Sequence, residues 1–394
     1  MPLKASWAPF FIFFWAISTL IAYVFERKEN RTANFLFLKD LSDVRTALLL
    51  FWVFALISGL WAEDKSLINA PLETKLSFLL APFLFSMTSI NVLWIKRFLL
   101  AFLLGNLAAF AWNIGDSFQS YLASGKLISF IMKYFSDLVH PSYWGMYLIF
   151  CLLLLGYFYL WKTFPARRQT ALFIILGLIF LIALALIQSK NAIVALVFIP
   201  VMLLVWLIVK KGKWKKGLLA FIGIMVFVGT LFYITPNLQV RFAKMYDSIN
   251  KSAIQSSSKS STDARLVAWN ASLELIKERP ILGYGIGQEK NSLVYIYKRD
   301  RFEFAEEKRL DSHSQFLFTW ISGGILAFSS LMYLFIILVY QGIKRKNGLM
   351  VLFSILVFFS CLTESMFESQ SGVLFFVFFA LLLSKMPIGR KQIA

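Results

Sequence analysis

The chain is poor in the residues from which most enzyme sites are built: two histidines and two cysteines in 394 residues. Cys151 and Cys361 both fall inside apolar runs, which excludes a disulfide framework and leaves no cysteine pair at metal-ligand spacing. So few His and Cys offer a transition metal no ligand set. Charge is scarce too, at 15% of residues against 59% hydrophobic, with a mean hydropathy of +0.71. A soluble domain cannot hide that much apolar surface, so the chain reads as a polytopic membrane protein. At the N-terminus only Lys4 precedes the first apolar run and no small-residue cleavage site closes it, so no cleavable signal peptide is expected. No internal repeat of convincing strength is present.

Long continuous apolar runs make up most of the sequence. Lipid-exposed backbone must satisfy its own hydrogen bonds, and runs of this length do so as helices rather than as barrel strands, so the fold class is all-α. About eleven or twelve spans are expected. They lie near 8–25, 46–62, 77–93, 97–115, 142–161, 170–188, 191–209, 217–234, 315–340, 348–363 and 372–386, with a further short segment near Phe35–Leu38. The formal charge of +19 does not point to nucleic acid. Its lysines and arginines gather in short loops, among them Arg27, Lys28 and Arg31; Arg167 and Arg168; Lys210 to Lys216; and Lys344 to Lys346. That is the pattern of cytoplasmic loops. It puts Trp61–Lys75, Asp116–His140, Ser189–Asn191, Thr235–Ser312 and Glu364–Ser371 on the outer face. The chain thus divides into a helical part at 1–234, a large outer loop at 235–312 and a C-terminal helical part at 313–394.

The large loop holds the one dense run of Arg, Lys, Asp, Glu and Gly in the molecule. From Thr262 to Arg279 its apolar residues Leu266, Trp269, Leu273 and Ile276 fall at helical spacing, with Ser261 or Thr262 as cap, Asp263 in the first turn and Pro280 as stop. A second amphipathic helix is expected over 237–252. Such helices suit the surface of the outer leaflet.

Both histidines lie where an outer segment meets a span. A neutral imidazole there can take a hydroxyl proton near neutral pH, though a capping or headgroup-facing role is open to either, His140 above all. Arg265 sits in the first turn of the predicted loop helix, where a cation is disfavoured unless an anion faces it. A diphosphate would meet that need through the guanidinium fork. Lys190, in the tight turn between two long apolar runs, is costly unless it serves a site or snorkels to headgroups. Arg241 is a further candidate cation. Glu364 and Glu368 could orient a histidine or bind a sugar, and Tyr143 and Tyr284 are further candidates for contacting an acceptor. The run Gly283-Tyr-Gly-Ile-Gly287 lets backbone approach something closely, a ligand or simply a turn; it is no dinucleotide fingerprint, because no βαβ unit surrounds it. Phosphate chemistry here would rest on Arg and Lys, without metal or cofactor.

Arg265 with Trp269, the run from Glu278 to Gly287, and His313-Ser-Gln-Phe-Leu with Gly323-Gly324 resemble the O-antigen ligase and polymerase superfamily of bacterial envelope glycosyltransferases. The resemblance covers most of the chain and is sharpest from His140 onward. It implies a multi-pass protein of the bacterial inner membrane whose large loop and active site face the periplasm. The implied donor is a glycan on undecaprenyl diphosphate. The implied acceptor is a lipid A core sugar for a ligase, or another lipid-linked repeat unit for a polymerase. Membrane lipids are the other implied partners. Arg265 and His313 match the family's loop arginine and essential histidine; His140-Pro-Ser-Tyr143 resembles a motif of its ligase-like members; and Ser189-Lys190 stands where members usually carry Ser-Arg. A lipid-linked oligosaccharide transporter without chemistry is the reading from another class. It fits less well, because transporters place charge near the bilayer midplane and often repeat their halves.

Overall fold

The computed structural model describes residues 14–21, 35–88, 90–160, 167–189 and 261–386, with isolated positions between 192 and 243. Among the described residues the elements are helices, with no strand. The membrane part contains α1 (Val44–Ser58), α2 (Leu76–Met87), α3 (Val92–Ser124), α4 (Pro141–Leu160) and α5 (Arg167–Ile187). The polar segment that follows contains α6 (Ser261–Glu278), α7 (Glu289–Arg299) and α8 (Glu303–Glu307). The chain then returns through α9 (Gln315–Lys344), α10 (Gly348–Thr363) and α11 (Gln370–Ser384).

Side-chain caps fix where several of these helices begin. Asp43 accepts the backbone N–H of Arg45 before α1, Asn91 that of Trp94 before α3, and Asn347 that of Met350 before α10. Five segments are long and apolar enough to cross a membrane: Val44–Trp61, Val92–Ser124, Pro141–Tyr159, Thr170–Ile187 and Gln315–Lys344. Gly348–Thr363 and Gln370–Ser384 are shorter apolar helices. Most of the expected spans in the described residues have a helix, with boundaries shifted at α2 and α3: the span expected at 77–93 ends at Met87, and the one expected from 97 begins at Val92. α3 runs on to Ser124, so Asp116, expected in an outer loop, lies inside it. Asp, Ser and Gln do not stop a helix. It ends at Gly125, which takes the left-handed conformation (φ 65°) and returns its N–H to the Tyr121 carbonyl. The predicted segment near Phe35 is a 3-10 turn, Phe35–Lys39. The spans expected at 191–209 and 217–234 and the helix expected at 237–252 lie, but for isolated positions, outside the described residues.

The helices pack around interlocked phenylalanines. Phe102, Phe150 and Phe353 surround Phe375 and Phe379, with edge-on ring pairs as close as 4.8 Å. α4 runs through the middle, 72% of its apolar window buried, whereas α5 is a rim helix at 22%, presenting Leu172, Ile174, Ile175 and Leu178 outward.

The predicted loop helix is α6. It packs with α7 and α8 through Val267, Ala271, Leu275, Leu293, Ile296 and Tyr297, and this small core rests on Ile321 of α9. The join is made at a break in α9. Gly323 and Gly324 leave helical geometry (φ −123° and 62°), which frees backbone groups inside a helix. The turn from Pro280 to Gly285 takes them up: Tyr284 and Gly285 donate to the Ile321 and Ser322 carbonyls at 2.8 Å, and the Ile325 N–H reaches the Pro280 carbonyl at 3.0 Å. A Cβ on Gly324 would strike the Ile281 carbonyl, and one on Gly283 the Ile321 carbonyl. Gly285 and Gly287 lie as tightly against Ala62 and Leu67. The close approach read from the glycine run is therefore to the chain itself.

Candidate functional site

Where α4, α6 and α9 begin and α10 ends, residues distant in sequence converge at one end of the bundle. Glu364, the residue that follows α10, is the hub. Arg265 donates to its Oε1 at 2.5 Å and the Ser142 hydroxyl to the same oxygen at 3.0 Å. His313 turns Nδ1 toward two carboxylates, 3.7 Å from Glu364 Oε2 and 3.5 Å from Asp311 Oδ1. These are ion-pair separations that a small shift would close into hydrogen bonds. His140 flanks the group: its Nδ1 lies 3.4 Å from the Ser142 amide, and its ring stands edge-on to Tyr143. The Tyr143 hydroxyl lies 3.5 Å from the Ser365 carbonyl.

The charges tune one another. Burial pushes the Glu364 carboxyl up, but His313, Arg265 and Ser142 together hold it below the usual carboxylate range. Burial pushes His140 down; Glu364 opposes this, while His313 and the Arg265 guanidinium add to it, so the net direction is down and the imidazole is kept neutral. On α6 two donors are buried without partners, Nε of Arg265 and, one turn on, Nε1 of Trp269. A buried N–H left unpaired is costly unless something else occupies it.

His313 itself is held by a local device. Its φ is 45°, in the left-handed region that non-glycine residues avoid, and the Asp311 carboxylate accepts its backbone N–H at 3.0 Å. The loop just before α9 is thus bent so that the imidazole faces Glu364.

Of the residues singled out from the sequence, Arg265, His313, His140, Tyr143 and Glu364 come together here. Glu368 lies one turn further on and faces another way, its carboxylate paired with Lys75 at 2.6 Å. Tyr284 is elsewhere: its hydroxyl donates to Glu278 at 2.5 Å and Arg279 stacks on its ring. Lys190 and Arg241 lie outside the described residues. Sequence reading passed over Asp311, Ser142, Lys75 and Gln315. Asp311 was within reach, since an Asp two residues before a His can bond its backbone. Lys75 carried the same signal as Lys190, a cation at the head of an apolar run. Ser142 and Gln315 lie inside the runs His140-Pro-Ser-Tyr143 and His313-Ser-Gln-Phe-Leu, but no local signal gave either a role. Among the described residues no group of His, Cys, Asp and Glu has the arrangement of a metal centre.

An all-helical, multi-pass membrane protein with an Arg–Glu–His cluster at one end of its bundle is the class that these features define. Residues 174–332 match the family model described as O-antigen ligase, a stretch running from α5 through α6, α7 and α8 to the middle of α9. Along that stretch the chain is similar to the O-antigen ligase family, whose members are glycosyltransferase-like enzymes. No curated protein matches the chain.

Proposed function

We propose that the protein transfers a glycan from undecaprenyl diphosphate to a lipid A core sugar at the periplasmic face of the bacterial inner membrane, without metal and with inversion at the anomeric carbon. The observation that carries this reading is the cluster of His313, Glu364 and Arg265, brought together from three separate segments.

The geometry supports a division of labour. With Nδ1 of His313 turned to Asp311 and Glu364, Nε2 is left to take a proton, and the two carboxylates stabilise the imidazolium that forms. The acceptor hydroxyl oxygen bonds to the anomeric carbon as its proton passes to His313 Nε2. The bond from that carbon to the diphosphate oxygen breaks, and its electron pair leaves with the diphosphate. The protein's main task is then to stabilise negative charge growing on the leaving group, which fixed cations do without reorganising. Arg265 is held at one corner by Glu364 and keeps Nε unpartnered for a phosphate oxygen, with the Trp269 N–H beside it on the same helix face. Lys190 and Arg241 are proposed as further cations for the diphosphate, and His140 and Tyr143 as contacts for the acceptor. The exposed apolar flank of α5 suits a polyprenyl tail running into the bilayer.

The test uses purified protein in liposomes with a labelled undecaprenyl-diphosphate glycan, half of the samples receiving lipid A core. Label moving to the core is expected. A ladder of longer lipid-linked glycans without core would make the protein a polymerase instead. Label that crosses the bilayer but is never transferred would make it a transporter.

A further inference from the structure

A second buried charged group stands behind the turn that carries Glu364. Lys75, at the head of α2, donates to Glu368 Oε2 at 2.6 Å, with 5% and 14% of the two side chains exposed. Gln315, in the first turn of α9, donates to Glu368 Oε1 at 3.1 Å and accepts the Phe367 N–H at 2.6 Å. Both carboxylate oxygens and the adjoining backbone are therefore held. The walls around the pair are mostly apolar, from Phe51, Ala55, Ile286, Phe318 and Ala327, with Thr319 and Ser322 as the polar exceptions. An ion pair buried in such a place rarely adds stability over apolar residues of the same size, so its presence calls for a reason in geometry. A third member, Glu289, is 2% exposed and interacts with Glu368, Lys75 and Ser322. One lysine for two buried carboxyls leaves one proton to be kept; Glu289, pushed up by burial and by Glu368 to about 7, keeps it.

The link to the candidate site is short and stiff. Glu364 stands two residues before the 3-10 turn Met366–Glu368, and Glu368 is the last residue of that turn. Within it the Met366 N–H bonds to the Glu364 carbonyl at 2.9 Å and the Glu368 N–H to the Ser365 carbonyl at 3.1 Å. Displacing Glu368 displaces Glu364.

We infer that Lys75, acting through Glu368 and the turn between them, is a positioning residue that fixes Glu364 against Arg265 and His313. The inference rests on the function proposed above. It explains why the turn has two acids four residues apart that never share a partner: one serves the site and the other anchors it.

The experiment follows the pH dependence of transfer in the same liposome assay for wild type, Lys75→Met, the double variant Lys75→Met/Glu368→Gln, and Glu364→Gln. Lys75→Met is expected to lower kcat by roughly 10²-fold with KM nearly kept, the size of effect that a misplaced catalytic group causes. It should also move the acid limb of the profile to lower pH, because Glu364 drawn away from His313 no longer favours the protonated form of the general base. The double variant leaves no stranded carboxylate, so it folds even where the single variant does not. It should stay slow, with the acid limb at lower pH. Wild-type rate and limb in the double variant, or slow transfer with an unmoved limb, would overturn the inference. Wild-type transfer in Glu364→Gln would overturn the site itself; loss there with normal transfer in both Lys75 variants would overturn the positioning role alone.

Discussion

His313 occupies a backbone conformation with positive φ, and Asp311 holds it there. Strain of this sort persists where the surrounding structure over-determines a side chain's direction, here toward Glu364. His313→Ala is expected to fold and to lose transfer by about 10²–10⁴-fold, the usual contribution of a general base; kcat in the liposome assay checks this, and retained turnover would end the proposed mechanism. The titrating groups pull stability in opposite directions. Glu364 and His140 have pKa values lowered from 4.5 and 6.5, so they bind fewer protons in the fold than in the unfolded chain. What they contribute is present above those unfolded values and lost as pH falls through the folded ones. Glu289, raised from 4.5 to about 7, has the other sign: its contribution is full below 4.5 and is lost as pH rises through about 7. The Glu289 contribution to the wild-type thermal midpoint should therefore decline as pH rises from 4.5 to about 7, while the contributions of Glu364 and His140 decline on acidification. Glu289→Gln should remove the decline toward pH ~7 and leave the acid one. A decline of equal size over that window in the variant would remove Glu289 as its cause.

At the scale of elements, the decisive feature is the break in α9 and the turn that fills it. Glycine at 323 and 324 is legible as a weak point in a helix, and Gly283-Tyr-Gly-Ile-Gly287 as a place of close approach. That the two runs meet is not legible, because each is short of partners only in the other's absence. Two N–H groups from the turn satisfy the carbonyls freed by the break, and this seats α6, and hence Arg265, over the start of α9. Gly324→Ala should cost at least ~2 kcal/mol, from a positive φ and a collision with the Ile281 carbonyl. Gly177→Ala, with open space around its Cβ on the rim helix α5, should be neutral or slightly stabilising. Thermal unfolding in detergent compares the two; equal midpoints would mean that the turn is not seated as described.

Across the whole molecule, one end collects the Arg265–Glu364–His313 cluster and the Lys75–Glu368 pair, and the other is tied by Arg345 to the Ser384 carbonyl and by Asn347 to that of Leu383. The proposed orientation places the first end in the periplasm. Cys151 and Cys361 are fully buried, so a cysteine added at the surface would react alone. In intact cells with a permeable outer membrane, Lys308→Cys should react with a maleimide that cannot cross the inner membrane, and Lys344→Cys only after lysis. The reverse pattern would invert the topology. Sequence by itself determined the all-helical class, the apolar runs and, to within a residue at each end, the loop helix expected over Thr262 to Arg279, and it offered five residues of the cluster as candidates, because hydropathy, periodicity and rare charged residues in apolar surroundings are local signals. Tertiary structure alone decided that Glu364 and not Glu368 meets Arg265, that Lys75 anchors the turn between them, and that the glycine run receives a broken helix. Those facts depend on which buried groups find one another, and no local pattern records the partner of a buried charge.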